Sequence, residues 1–364
     1  MSRILFTDSI AIGTISLPQM KPVRIGLLGS GFVADFYMQG LANVKDHEVV
    51  FNYSRSLERA RLFAQRWNIP EYTNFREVVF RDDIDLFLIA LPNEEHLPVS
   101  LALSAGKRNQ VCTKPLGRNA LEARQMVEAA RVSGAIHGYA ETEVFAPAVV
   151  RAKESVDHGG IGRILWVRSR ESHSGPHSPH FWDVDNTGGG ALNDLGCHCI
   201  EAARYLFGKK DKITEVMAWG ANLVHKDKTK GEDNALLLLQ MASGGVAHCE
   251  LSWTTLGGLD LRNEIHGSEG SIFTDVTRQT PVAAFTKKAS GYVVEKADLD
   301  FGWTRPLPEE AFAYGYQAEM RHFVECVRDG VTPRETYEDG YVVNCILDAG
   351  YMSMREHRWV NVEY

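Results

Sequence analysis

Val23-Arg24-Ile25-Gly26-Leu27-Leu28-Gly29-Ser30-Gly31-Phe32-Val33-Ala34 is a short apolar run that passes straight into glycines and then into a helical pattern reaching Leu41. Strand, glycine turn and helix in that order form G-x-G-x-x-A, a dinucleotide-binding signature in its required context. Gly29 permits the tight turn, Gly31 lets backbone approach a pyrophosphate, and Ala34 allows close helix-strand packing. The helix N-terminus, with Phe32 and Val33 in its first turn, faces the phosphates.

Working outward, strands expected over 49–53, 85–91, 111–112 and 136–139 alternate with helices over 57–67, 97–105 and 120–133. That alternation predicts an α/β fold with a parallel, doubly wound sheet. The ligand crevice of such a sheet lies at the carboxyl ends of its strands. Leu91-Pro92-Asn93, with His96 one turn further on, and Thr113-Lys114-Pro115 fall there and are expected beside the cofactor. Where an NAD site usually carries an acid, the second strand ends in Ser54-Arg55. A hydroxyl and a guanidinium suit a 2′-phosphate, so this position leans toward NADP; Arg55 stacked on adenine leaves NAD acceptable.

The chain has 364 residues, enough for two hydrophobic cores, and 44% hydrophobic with 24% charged residues is ordinary for a globular protein. A formal net charge of -8 argues against nucleic acid or an anionic membrane surface as a partner. Six cysteines scattered without framework spacing fit free thiols in a reducing compartment, so a cytoplasmic location is expected. Residues 1–20 do not resemble a targeting signal and are expected to form an arm, with the nucleotide domain over 21–141. No apolar run is long enough to span a bilayer.

Past Glu141 the pattern changes to successive strands over 164–171, 213–219, 235–241, 245–253, 259–266 and 270–274, then helices over 318–328 and 342–354 and a strand-like tail over 359–362. Residues 142–364 therefore read as an α+β domain with a large, open, mostly antiparallel sheet. Helices should cover one face and a second copy of the chain the other, which predicts a homo-oligomer.

Two constellations here carry chemistry. Gly188-Gly189-Gly190-Ala191-Leu192-Asn193-Asp194-Leu195-Gly196-Cys197-His198 places an acid and an imidazole one helical turn apart after glycines expected to let backbone approach the substrate and cofactor. Cys197 and Cys199 flank His198; small packing residues and a soft metal site are the two readings, and no second Cys pair supports the metal. The other constellation runs from His173 through His177, His180 and Trp182 to Asp183, and should overhang the substrate. Its histidines suit zinc or manganese, or sugar hydroxyls with Trp182 over an apolar sugar face. Glu141 and Glu143, in the crossover, are polyol binders or linker carboxylates.

The glycine turn, the Lys114-Pro115 dipeptide, Gly188 to Gly190 with Asp194 and His198, and Glu264-Ile265-His266-Gly267-Ser268-Glu269-Gly270 together resemble the Gfo/Idh/MocA family. The resemblance extends from Val23 to the C-terminus. It implies a Rossmann domain, a second domain whose open sheet serves dimerisation, and nicotinamide-dependent oxidation of sugars or cyclitols without a metal. It also implies that Lys114 lies near nicotinamide and substrate, with Asp194 and His198 facing the reacting carbon. Thr113 departs from the family, which commonly has Glu there; a hydroxyl fixes the neighbouring ammonium less firmly than a carboxylate.

The resulting expectation is reversible oxidation of a secondary hydroxyl of a sugar or glycoside, at C3 of a glucoside, by hydride transfer to NAD(P). Lys114, Asp194 and His198 are the expected catalytic residues, and Glu141, His173, His177, His180 and Trp182 join them in holding substrate. Inositol or cyclitol oxidation is the nearest alternative. Glycoside cleavage is another, because a transient C3 ketone acidifies the C2 proton and permits elimination. A sugar-sensing regulator is the reading outside enzymes, and retention of Lys114, Asp194 and His198 argues against it.

Overall fold

The computed structural model describes residues 21–278, 280–289, 296–297 and 299–364; the expected N-terminal arm, 1–20, lies outside them. The first half runs β1 (Val23–Leu28), α1 (Phe32–Leu41), β2 (His47–Tyr53), α2 (Leu57–Trp67), β3 (Glu71–Tyr72), α3 (Phe75–Val79), β4 (Leu86–Ile89), α4 (Asn93–Ala105), β5 (Gln110–Thr113), α5 (Ala120–Ser133) and β6 (His137–Ala140). Its strands form one parallel sheet in the order β3-β2-β1-β4-β5-β6. The order reverses between β1 and β4, which opens the ligand crevice there.

Local chemistry sets the helix limits. Ser56, Asn74 and Asn119 cap α2, α3 and α5 by accepting backbone N–H groups. α4 starts at Asn93, four residues before the expected position, because Glu94 and Glu95 favour a helix N-terminus and Pro98 is accommodated inside.

The second half continues with α6 (Pro147–Asp157), β7 (Ile164–Ser172), α7 (Val184–Thr187), α8 (Ala191–Phe207), β8 (Ile213–Ala221), β9 (Asn234–Met241), β10 (Val246–Ser252), β11 (Asp260–Gly267) and β12 (Ser271–Asp275). A hairpin, β13 (Ala284–Thr286) and β14 (Gly302–Thr304), precedes α9 (Glu310–Ala313), α10 (Tyr316–Asp329), α11 (Tyr337–Glu356) and β15 (Val360–Asn361). The large sheet has the order β12-β11-β7-β10-β9-β8-β15, and only β7 and β10 pair in parallel. The mixed, mostly antiparallel sheet expected from sequence is therefore present.

Alternation along β9 shows how the sheet is layered. Ala235, Leu237, Leu239 and Met241 are buried under α8 and α11, whereas Leu236 and Leu238 point to the opposite, open face. Trp219 pairs with Leu236 on that face, and Arg168 and Glu250 form an ion pair across it at 2.7 Å. α11 begins at Tyr337, earlier than expected, because Thr336 and Asp339 form a capping box.

The halves are not separate along the chain. Met320, Phe323 and Val324 of α10 pack with Val23, Ile25, Leu27 and Val111 of the nucleotide sheet, so the C-terminal segment returns to cover the first domain. The fit is close: a Cβ on Gly138 would lie 2.4 Å from the Phe323 ring. Among the described residues no helix is long and apolar enough to cross a membrane.

Candidate active site

A cavity of about 530 Å³ opens at the carboxyl ends of the parallel strands and is closed on its far side by the second half of the chain. Gly29, Gly31, Phe32, Val33, Ser54, Arg55, Leu91, Pro92, Asn93 and Thr113 line one end. Gly29 has φ of +125°, and a Cβ there would meet the Ala90 carbonyl oxygen at 2.0 Å. Asn52 donates its side-chain N–H to the Gly29 carbonyl and holds this turn. By contrast, a Cβ on Gly31 would find no protein atom within 4 Å. α1 begins without a side-chain cap, so its first N–H groups remain available to an anion. These features fit a dinucleotide pyrophosphate.

Arg55 also reaches this end, but its guanidinium bonds Glu95 at 2.6 Å. A carboxylate beside the arginine offsets part of its attraction for a 2′-phosphate. Asn93 is tied by its side-chain N–H to the Thr187 carbonyl at 2.9 Å. His96 does not line the cavity. Its Nδ1 and Nε2 face the carbonyls of Pro115 and Leu91, at 3.0 and 2.9 Å, and so brace the two crevice loops.

The other end brings Lys114 from the tip of β5 to Asp194 and His198 on α8. Lys114 Nζ donates to Asp194 Oδ1 at 2.9 Å and to the Asp194 carbonyl at 2.8 Å. Asp194 Oδ2 accepts the Trp253 indole N–H at 3.1 Å. Burial opposes charge on Lys114, yet Asp194 and then the Cys197 and Glu171 side chains more than offset it and hold the ammonium well above the usual lysine range. Burial likewise opposes charge on Asp194, but Lys114 keeps its carboxylate well below the usual range. At neutral pH the pair is ionised.

His198 is different. Its Nδ1 contacts Glu141 Oε1, while Nε2 lies 3.9 Å from Glu171 Oε2, beyond hydrogen-bond reach. Glu141 is completely buried behind the histidine rather than lining the cavity, and its other oxygen accepts the Val144 N–H at 3.4 Å. Burial lowers His198 to about 4 and raises Glu141 to about 8. Both shifts disfavour charge on the pair, which leaves a neutral imidazole as the stable form of the histidine. Glu141 Oε2 accepts the Val144 N–H, so a proton held by Glu141 sits on Oε1 against Nδ1; once Glu141 ionises, Nδ1 donates to it and the Nε2 lone pair is left toward the cavity.

The histidine loop divides. His173 is buried, with Nδ1 accepting the Gly175 N–H at 2.9 Å, and His177 packs on Phe32 with ring centres 4.9 Å apart. His180 sits 3.7 Å from Glu94 Oε1. All three line the cavity, but Trp182 does not. A single 3-10 turn over Pro179–Trp182 directs its ring under Gly175, against Trp253 and His225. Cys197 and Cys199 are buried free thiols, and Cys197 donates to the Asp194 carbonyl at 3.1 Å.

Two expectations change in character. Gly188, Gly189 and Gly190 do not line the cavity; a Cβ on each would strike Arg118, Tyr351 or Glu232 at 2.3, 1.9 and 2.1 Å. Their close approach is to protein, and its effect is to set the start of α8. Conversely, Glu171, Lys296, Leu259, Leu261, Tyr314 and Tyr316 line the cavity although sequence reading assigned them no site role. Glu171 is the penultimate residue of β7, two residues before the first loop histidine, a position from which its role could have been inferred; Lys296, which donates to the Gly175 carbonyl at 3.1 Å, gave no periodic signal.

Comparison with known proteins agrees with this architecture. Residues 23–140 match the oxidoreductase family with an NAD-binding Rossmann fold, and residues 149–273 match the Gfo/Idh/MocA C-terminal domain. Levoglucosan dehydrogenase of Pseudarthrobacter phenanthrenivorans is 27% identical, with 94% of this chain and 99% of that protein covered. Myo-inositol 2-dehydrogenase of Thermotoga maritima is 25% identical over the same shares. Among solved structures, GenD2 from gentamicin A biosynthesis, in complex with NAD, has a TM-score of 0.89 at 29% identity and covers 96% of this chain and 98% of its own. With both halves matched in sequence order, the chain belongs to the Gfo/Idh/MocA family and is a nicotinamide-dependent oxidoreductase.

Proposed function

We propose that this enzyme reversibly oxidises a secondary hydroxyl of a sugar or glycoside, with C3 of a glucoside as the position attacked. The observation that carries the reading is the Lys114–Asp194 ion pair, 2.9 Å long, in one cavity with His198 and the glycine turn. When bound, the nicotinamide supplies the hydride acceptor. His198 Nε2 takes the hydroxyl proton as the carbon loses its hydride and becomes a carbonyl. Lys114 has three N–H donors, two directed at Asp194; the third stabilises the charge growing on the reacting oxygen. Asp194 orients the ammonium, and Glu141 orients the imidazole. The cofactor would be held by Gly29, Gly31, Phe32, Val33, Ser54, Arg55, Leu91, Pro92, Asn93 and Thr113, and substrate by His173, His177 and His180 around the catalytic three.

The open face of the large sheet, with Trp166, Trp219, Leu236 and Leu238 exposed, is the face a second copy would cover. The six free cysteines accord with a cytoplasmic site of action. A test of the reading is to denature the purified protein, identify any released NAD or NADP, and follow nicotinamide reduction with glucosides, inositols and free sugars. Reduction by glucosides is expected. No response from any polyol overturns the reading.

A further inference from the structure

Two residues that line the cavity each carry a buried carboxyl oxygen with no hydrogen-bond partner among the described residues: Glu171 Oε2 and Glu143 Oε2. Both residues are more than nine-tenths buried, at 8% and 2% exposure. A buried polar group left unsatisfied destabilises a fold, and such groups persist where a ligand completes them. Neither oxygen has a cationic group within hydrogen-bond reach among the described residues. Glu171 Oε2 is 3.9 Å from the imidazole Nε2, and Glu143 uses only Oε1, which accepts the Asn263 side-chain N–H at 2.8 Å.

We propose that Glu171 and Glu143 recognise the hydroxyls flanking the reacting one, so that the substrate must carry contiguous hydroxyl groups. The proposal rests on the polyol-oxidising reading above and adds its specificity determinants. One hydroxyl directed at His198 Nε2 places the oxygen on the adjacent carbon toward Glu171, because 3.9 Å is close to the spacing two neighbouring hydroxyls can bridge. Glu143, on the wall of the same cavity, is assigned the hydroxyl on the other flanking carbon. Burial raises Glu171 to about 7 and Glu143 to about 8, so each carboxyl can also hold its own proton and donate to a substrate oxygen. A substrate lacking a flanking hydroxyl leaves a buried carboxyl unpaired, and such sites reject deoxy analogues far more strongly than apolar sites reject a missing methylene.

The test uses full-length protein saturated with reduced nicotinamide cofactor, methyl glucopyranoside, and its 2-deoxy and 4-deoxy counterparts. Binding is measured by calorimetry on that complex, and turnover separately with the oxidised cofactor by nicotinamide absorbance, for wild type, Glu171→Met and Glu171→Gln. Wild type should bind one deoxy sugar roughly 10- to 100-fold more weakly than the parent. Glu171→Met should lose that discrimination, and Glu171→Gln, which keeps a carbonyl acceptor and an N–H donor, should retain most of it. Discrimination undiminished in Glu171→Met overturns the proposal even if turnover is normal. Discrimination lost in Glu171→Met, with no turnover of any sugar by wild type, supports the carboxyl assignment and overturns the oxidation reading instead. Failure of wild type to bind the parent glucoside overturns both.

Discussion

His198 can accept a proton only while Nε2 is bare, and the residue behind it decides when that holds. Burial raises Glu141 to about 8, so below that pH the Glu141–His198 pair retains one proton more than catalysis of oxidation needs. Lys114, Asp194 and Glu171 face the same imidazole; the first two stay ionised, and Glu171 titrates near 7. Oxidation should therefore rise with pH and level off at about 8, and the reverse reduction should fall across the same interval. In Glu141→Gln the remaining imidazole, lowered to about 4, is unprotonated at neutral pH. The rise near 8 should disappear from its pH–rate profile; an unchanged profile would detach Glu141 from the base. Lys114, Asp194 and His198 were legible as a group because each sits in a motif with a fixed place in the fold. Which of Glu141 and Glu143 faces the cavity was not: both lie in one 3-10 turn and its cap, and a spacing of two residues does not say which side of that turn meets the histidine.

At the scale of the element, the strand–turn–helix unit separates two kinds of glycine. Gly29 needs its positive φ and its missing side chain for the backbone to close, because Ala90 occupies the space a Cβ would take. Gly31, with φ of -93°, could hold a side chain without strain, but the side chain would project into the cavity. Gly29→Ala should destabilise the fold by about 2 kcal/mol or more, seen as a lowered urea midpoint. Gly31→Ala should leave that midpoint unchanged and weaken cofactor binding by roughly tenfold, measured by titration. Equal effects on stability would contradict the division. This unit was readable because apolar run, turn chemistry and helical period agree over a dozen residues. The Gly188 to Gly190 run was misread for the opposite reason: three glycines announce close approach, but the object approached comes from Arg118, Glu232 and Tyr351, distant in sequence. Trp182 was misplaced likewise, since the direction of one 3-10 turn depends on the partners its aromatic ring finds.

For the whole molecule, the return of α10 onto the nucleotide sheet joins the two halves into one packing unit. Phe323 lies against β1 and β6 and is almost wholly buried. Phe323→Ala should cost about 3–5 kcal/mol, read as the loss of unfolding free energy in denaturant titration. A cost below about 1 kcal/mol would mean that α10 is a peripheral cover. The sheet-then-sheet order of the chain disclosed both layers, but helical spacing over 318–328 shows only that an apolar face exists, not which sheet receives it. The same joining places Lys114 of one half on Asp194 of the other, and that junction is the centre of the proposed chemistry. Its most direct test is Lys114→Met in a paired measurement of cofactor affinity and polyol-dependent nicotinamide reduction. Cofactor affinity within a few-fold of wild type and turnover reduced by roughly 10³-fold or more are expected; cofactor bound and turnover undiminished would contradict the account.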